Sequence, residues 1–137
     1  MSQKRSGFRE HEHTADWELE VWAPDLAGLL EEAARGMYSL SGTKLKSKPR
    51  LERSIQFSAY DSETLVVTFL QELLFLGEIE GVGFDTFLLD VEDHRVSAKL
   101  TGAPIESRMK EIKAVTYHNI RVIENEEGVR VRIVFDV

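Results

Sequence analysis

The sequence predicts a single α+β domain in which a largely antiparallel sheet packs with two main helices. The chain has 137 residues, a length that one hydrophobic core ordinarily serves. Several short segments alternate apolar and polar residues, which is the two-residue period of a half-buried strand. Two longer segments repeat apolar residues every three or four positions, as amphipathic helices do. Because strands and helices do not alternate regularly, a doubly wound parallel sheet is not expected.

The N-terminal region predicts two strands. Residues 1–7 are polar and form a predicted tail, ahead of a domain that spans residues 8–137. A weak strand signal covers Gly7–His13. Apolar and acidic residues then alternate along Trp17–Val21, which predicts a strand with one buried face.

The first helix is predicted from Leu26 to Leu40. Asp25 precedes it as an N-cap, because an aspartate carboxylate can accept the free amides of the first turn. Ser41 and Gly42 are predicted to end it.

The second helix is predicted to begin at Asp61 and Ser62. It is apolar nearly all round from Leu65 to Leu76, which is typical of a central helix packed on a sheet. The alternative is that one apolar face binds a partner. Three glycines that follow are predicted to break the helix: Gly77, Gly81 and Gly83.

The other strands are predicted from alternation and from turn residues. A hairpin is expected around Glu92–His94, and His94 is expected to be exposed. Residues 101–107 are predicted to be a loop, since Pro104 cannot donate to a ladder in a central strand. The predicted strands are Ser54–Ala59, Phe84–Val91, Arg95–Leu100, Ile112–Glu124 and Val129–Val137.

Composition excludes several kinds of site. The chain has no cysteine, so disulfides and thiolate metal sites are excluded, and a reducing cytoplasm is the expected location. Its net charge of −7 disfavours direct nucleic acid binding, because phosphates are bound mainly by Lys and Arg. The longest apolar stretch, Leu65–Leu76, is shorter than the roughly 20 residues of a membrane span, so no membrane association is expected.

Three polar clusters are candidates for chemistry, namely Glu12–Asp16, Lys113–His118 and Asp136–Val137. The turn of the last hairpin sets a register between the second and third clusters. It places Tyr117 opposite Asp136, and His118 opposite Phe135. The position of the first cluster depends on the order of strands in the sheet, which the sequence leaves open.

If the clusters meet, three carboxylates come together, those of Asp16, Asp136 and the chain terminus at Val137. Their repulsion calls for a divalent cation, or for basic groups such as Lys113. Oxygen ligands favour Ca²⁺, Mg²⁺ or Mn²⁺ over zinc, and an added histidine would favour Mn²⁺ or another transition metal.

The alternative is purely structural. Asp16 would then be a turn residue before a strand, and Tyr117 and His118 would be core-edge residues with satisfied polar tips. No Ser-His-Asp arrangement and no glycine-framed nucleophilic serine is recognisable, so the residues alone do not predict an enzyme.

The clusters resemble the motifs of a known family. Residues 12–16 read Glu-His-Thr-Ala-Asp, residues 112–118 read Ile-Lys-Ala-Val-Thr-Tyr-His, and the chain ends Val-Phe-Asp-Val. In this order, over Glu12–Val137, they resemble the archease family, and the two predicted helices fall where that family has helices.

The resemblance implies a small cytoplasmic α+β protein that is not itself an enzyme. It would assist the GTP- and metal-dependent RNA ligase that joins tRNA halves, promoting guanylylation of the ligase and its repeated turnover. The implied cofactor is a divalent metal ion, most often calcium, bound through Asp16, Asp136 and Val137. Residues that match the motifs without an assigned metal role form a functional patch: His13, Thr14, Lys113, Thr116, Tyr117 and His118.

Two other functions stay open at this point. One is a chaperone-like modulator of a tRNA methyltransferase, which is also suggested for the family. The other is a metal-dependent hydrolase that uses Asp16, Asp136 and His118.

Overall fold

The fold is a single α+β domain with two main helices, as predicted, and its strands form two antiparallel sheets where one was expected. It is seen in a computed structural model that describes residues 5–12 and 16–137. The elements in chain order are β1 (Gly7–Glu12), β2 (Asp16–Ala23), α1 (Leu26–Ser41), β3 (Lys44–Leu45), β4 (Leu51–Ser58), α2 (Ser62–Glu80), β5 (Val82–Glu92), β6 (Arg95–Ser107), β7 (Ala114–Val115), β8 (Ile123–Asn125) and β9 (Gly128–Asp136).

The first sheet has the order β1-β2-β9-β7, and β8 also pairs with β9. The second sheet is built on the long strand β6. Strands β3 and β4 pair with successive parts of β6, and β5 pairs with β6 as the predicted hairpin. The two helices pack against each other, and each contacts strands of both sheets. One continuous core therefore lies between the helices and the two sheets.

Both helices begin at the predicted caps. Asp25 accepts a hydrogen bond from the Gly28 amide at 2.8 Å, and Asp61 accepts one from the Thr64 amide at 2.8 Å. The hydrogen bonds from Thr64 also lower the pKa of Asp61. The helices end at Gly42 and Gly81, whose positive φ angles of 63° and 67° glycine adopts without steric cost.

The prediction that Gly77 breaks the second helix is wrong. Helix α2 continues through Gly77 to Glu80 and ends only at Gly81. A single glycine costs a helix about 1 kcal/mol, which tertiary packing can offset. Gly77 is buried, and a Cβ atom there would lie 3.2 Å from the Arg108 guanidinium. Gly77 therefore lies within a closely packed part of the helix, beside β6 and the loop that follows it.

The predicted loop at residues 101–107 is also wrong, because these residues extend β6. Pro104 is accommodated by its place in the ladder. The Ile105 amide donates to the Gly81 carbonyl, on the side of β6 that faces β5. Successive amides of a strand point to opposite sides, so the nitrogen of Pro104 faces the other side of β6. There, pairing with β4 ends at Gly102 and pairing with β3 starts only at Ile105. The missing amide hydrogen therefore falls in the gap between two partner strands.

Helix α2 is the central core helix that its sequence predicts. Six of its large apolar side chains are at most 1% exposed, whereas Phe75 and Ile79 are 56% and 64% exposed. None of the helices in the described part of the chain has an apolar stretch long enough to cross a bilayer. The burial of α2 leaves only a small apolar area for any partner that would bind the helix face.

Candidate metal centre and its neighbouring loop

Asp136 lies at the end of β9, a strand with partners on both sides. The register pairs Asp136 with Asp16 of β2 on one side and with Ala114 of β7 on the other. The Lys113 amide donates a hydrogen bond to the Asp136 carbonyl at 2.8 Å. One residue from each of the three polar clusters, namely Asp16, Lys113 and Asp136, therefore lies at one edge of the first sheet.

Burial explains why this register is kept. On β9, Val129, Val131, Ile133 and Phe135 are at most 5% exposed, and Asp136 is exposed. The paired strand β2 buries Leu19 and Val21 completely. A slip of one residue would turn each of these apolar side chains to solvent, so the core fixes the pairing of Asp16 with Asp136.

The backbone geometry is compatible with a shared cation. Directly opposed residues on antiparallel strands have Cβ atoms about 4.5–5.5 Å apart, and calcium takes oxygen ligands at about 2.3–2.6 Å. Ala114, the other neighbour of Asp136, carries only a methyl group. Val137 is half-buried and packs against the core, so the chain end is held next to Asp136. Two carboxylates from adjacent strands are oxygen donors of the kind that a hard cation prefers.

Some predicted site residues lie outside the described part of the chain. These are His13 and Thr14, and the side chain of Asp16 is also outside it. Among the described side chains, which do not include those of Glu12 and Asp16, His, Asp and Glu form no cluster of three that could hold a metal. The metal role of Asp16, Asp136 and Val137 stays a prediction that rests on the backbone register.

Lys110, which belongs to none of the three polar clusters, contacts Trp17. The Lys110 ammonium is 3.7 Å from the centroid of the Trp17 ring, and Trp17 directly follows Asp16. The backbone amide of Lys110 donates to the Ser41 carbonyl at the end of α1. A cation over an aromatic face is attracted by the ring quadrupole, so this contact holds the Lys110 ammonium against Trp17.

The predicted register of Tyr117 and His118 is wrong. Ala114 lies opposite Asp136, and Val115 lies opposite Phe135, which is an offset of three residues. The turn itself is as predicted, because Glu124 pairs with Val129. The predicted continuous strand is instead divided into β7 and β8 by residues 116–122, a segment we call the β7–β8 loop.

The β7–β8 loop leaves the sheet because it is longer than the strand opposite it. Seven residues, 116–122, separate β7 from β8, whereas only four residues of β9, 131–134, lie between the matching partners Phe135 and Arg130. The three extra residues form a turn in which Asn119 has a positive φ of 52°. Asparagine is one of the few residues that adopt this conformation readily.

Within the loop, Thr116 has a structural position. Its amide and its hydroxyl each donate to the Val134 carbonyl at 3.0 Å, and its hydroxyl accepts from the His118 amide at 3.2 Å. Tyr117 is 54% exposed, and His118 is also exposed. The Nε2 atom of His118 lies 3.2 Å from the side-chain Nδ2 atom of Asn119. Thr116 therefore shapes the loop, and Tyr117 and His118 are the side chains available to a partner.

Two polar side chains of α2 hold the ends of the loop. Gln71 donates to the Val115 carbonyl at 3.4 Å, and Glu63 accepts from the Val122 amide at 2.7 Å. Residues 63 and 71 are eight positions apart, a rise of about 12 Å along the helix. Neither contact could be predicted from the sequence, because each joins residues more than forty positions apart.

We predict that the Glu63 contact orders the loop. In a Glu63→Ala variant, hydrogen exchange at Val122 and its neighbours should accelerate about tenfold or more, since a hydrogen bond to a charged group is worth about 1.5–3 kcal/mol. Glu63→Gln keeps an acceptor oxygen and is the matched control. Equal exchange in wild type and in Glu63→Ala would show that the loop is held without this contact.

Comparison with known proteins agrees with the motifs and with the fold. A model of the Archease protein family matches residues 8–137. Protein archease of Methanopyrus kandleri is 35% identical over 129 residues, which cover 88% of this chain and 91% of that protein.

Two solved structures share the fold. Protein 1598 of Methanobacterium thermoautotrophicum is 26% identical, with a TM-score of 0.71, and the match covers 96% of this chain and 99% of that one. The crystal structure of a Thermotoga maritima protein, described as an archease and possible chaperone, is 23% identical, with a TM-score of 0.70 and coverage of 94% and 96%. Because the family model matches the chain from its first strand to its last residue, this protein belongs to the Archease protein family.

Proposed function

We propose that this protein is an accessory protein that activates a GTP- and metal-dependent tRNA-splicing RNA ligase in the cytoplasm. In this proposal it promotes guanylylation and repeated turnover of the ligase and catalyses no reaction by itself. Membership of the Archease family supports an accessory role. The observation that carries the proposal is the opposition of Asp16 and Asp136 at an exposed edge of the first sheet.

The proposed mechanism begins with a divalent cation, most often Ca²⁺, with Mg²⁺ and Mn²⁺ as the other candidates. Asp16, Asp136 and the terminal carboxylate of Val137 would hold the ion. When bound, it supplies positive charge that offsets the carboxylates and can orient a phosphate or carboxylate oxygen of the partner. The strand pairing of β2 with β9 places the backbones of the two aspartates opposite each other, which favours a ligand shared by both.

The surface beside the aspartates supports a protein partner. Tyr117 and His118 are exposed on the β7–β8 loop, and Lys113 is exposed just before β7. An aromatic ring with a polar tip is a frequent anchor in protein interfaces. The net charge of −7 fits an arrangement in which the ligase, rather than this protein, binds the body of the RNA.

The direct test is a time course of guanylylation of a purified cognate ligase, with and without this protein. We expect a faster approach to guanylylated ligase and more than one ligation cycle per ligase molecule when the protein is present. A Tyr117→Ala variant should activate less, and Tyr60→Ala, which changes another exposed tyrosine away from the β7–β8 loop, is the matched control. An unchanged time course with wild-type protein would reject the proposal.

The alternatives make different predictions. A chaperone-like modulator of a methyltransferase would bind through exposed apolar surface, and on α2 the exposed large apolar side chains are Phe75 and Ile79. A metal-dependent hydrolase would turn over phosphoesters without any ligase and would lose turnover in His118→Ala. Turnover by the protein alone, lost in that variant, would contradict an accessory role.

A further inference from the structure

A groove rich in arginine lies on the outer face of the first sheet, beside the β7–β8 loop. Its volume is about 300 Å³, and its lining includes Arg121, Arg130, Arg132, Asn119 and Glu20. We call it the arginine groove. It is separate from the acidic edge, because Arg132 lies four residues from Asp136 along β9, a rise of about 13 Å.

Three parts of the fold bring the arginines together. Arg130 and Arg132 alternate with the buried residues of β9, so both project from the face of the sheet that is away from the core. Arg132 lies opposite Glu20 of β2. Arg121 comes from the β7–β8 loop and precedes Val122, the residue whose amide is bound by Glu63. The guanidinium groups are therefore placed by one strand, β9, and by a tethered loop, and β2 supplies the acidic residue beside them.

The arginines are only partly neutralised by acidic neighbours. Arg132 pairs with Glu18 at 3.2 Å, and Arg130 approaches Glu20 at 3.9 Å. Glu20 is shared, since its carboxylate also lies 3.5 Å from Arg9 and 3.4 Å from His11. Within residues 5–12 and 16–137, Arg121 has no ion pair.

The net charge of the groove favours a compact anion with two negative charges as its ligand. With histidine neutral, the three arginines and Glu20 have a net charge of 3 − 1 = +2. Arg9, which pairs with Glu20, and Glu18, which pairs with Arg132, have opposite charges and leave this net charge unchanged. The rest of a chain with net charge −7 then carries −7 − 2 = −9. A long polyanion would be repelled by that remainder, whereas a compact dianion would meet only the groove.

We propose that the arginine groove binds a phosphate monoester. Its charge of about −1.5 to −2 matches the groove, whereas a phosphodiester or a carboxylate carries a single charge. Guanidinium groups bind phosphate oxygens through paired hydrogen bonds, and the Asn119 amide supplies a further donor at the rim. The volume, at the small end of ligand pockets, accommodates the phosphate with the sugar that carries it. This site goes beyond the proposed function, because it needs neither the metal ion nor the ligase.

The test is calorimetric titration with inorganic phosphate and with adenosine 5′-monophosphate at about pH 8, where the monoester is a dianion. EDTA in the buffer keeps divalent ions from bridging phosphate to the acidic edge. Titrations with the dinucleoside phosphodiester ApA and with a glutamate-rich peptide distinguish the monoester from singly charged groups. We expect binding of the first two ligands and at least about tenfold weaker binding of the last two.

Two variants locate the site. Arg121→Gln and Arg130→Gln should each weaken binding of adenosine 5′-monophosphate about tenfold, the loss expected for one charge-assisted contact. Arg95→Gln removes the same charge from an exposed residue of the second sheet and should leave binding unchanged. Thermal unfolding of each variant checks that the fold is retained. Equal weakening by Arg95→Gln, equal binding of ApA or the peptide, or no binding of either phosphate ligand would overturn the proposal.

Discussion

Replacing Asp136 by asparagine is expected to weaken divalent metal binding by at least about 100-fold. Removing a residue that hydrogen-bonds to a metal ligand already lowers metal affinity about 10–100-fold. Asp136 is predicted to be a ligand itself, so its loss should have a larger effect. Asparagine keeps one oxygen but removes the charge that attracts a hard cation. Asp136 is exposed at the end of β9, so the fold should be retained. Calorimetric titration with Ca²⁺ and Mn²⁺ measures the effect.

The same substitution should abolish activation of a cognate RNA ligase. Asp16→Asn should do the same, because Asp16 is the cross-strand neighbour of Asp136. Asp90→Asn is the matched control, since Asp90 is exposed on β5 of the second sheet and its loss changes the net charge equally. Wild-type metal affinity in both Asp16→Asn and Asp136→Asn would exclude a shared site. Lost metal binding with full activation would separate the metal from the function.

Replacing Gly102 by alanine is expected to destabilise the fold by about 3 kcal/mol or more, at the upper end of overpacking costs. Gly102 is buried on β6 and lies between Leu51 of β4 and Phe84 of β5. A Cβ atom there would overlap the Gly83 carbonyl oxygen and would lie 2.7 Å from the Phe84 Cα. These neighbours are backbone atoms, which cannot move aside as a flexible side chain can. Urea unfolding of wild type and variant measures the difference.

Gly81→Ala separates this steric cost from a conformational one. A Cβ atom at Gly81 would meet nothing within 4 Å, but its φ of 67° is unfavourable for alanine. We expect a loss of only about 1 kcal/mol at this position. A Gly102→Ala variant as stable as Gly81→Ala would mean that β5 and β6 can separate locally without cost.

The local features of the fold were predictable from the sequence. The two helices begin at Asp25 and Asp61, and the first ends at Gly42. Caps act through hydrogen bonds and dihedral angles within one turn of the chain, so neighbouring residues are sufficient to recognise them. The alternation along β9 likewise assigned Phe135 to the core and Asp136 to solvent.

The errors at Gly77, Pro104 and the β7–β8 loop share one cause. In each case contacts with a distant part of the chain decide the local conformation, and for the loop these are the contacts of Glu63 and Gln71 with its ends. Arg108 fills the space beside Gly77, and the gap between β3 and β4 accommodates Pro104. Propensity is a weak prior, and tertiary contacts of this kind override it.

By itself, the sequence determined the α+β class, the caps, the faces of the strands and three polar motifs that mark the family. Only the tertiary structure decided that Asp16 pairs with Asp136, because strand order depends on which edges the packed core brings together. In the structure, the register of this segment differs by three residues from the prediction, and Tyr117 and His118 lie on a loop that does not pair with β9. Glu63 and Gln71 of α2 hold the ends of that loop. The arginine groove has the same origin, because Arg121 meets Arg130 and Arg132 only through that loop.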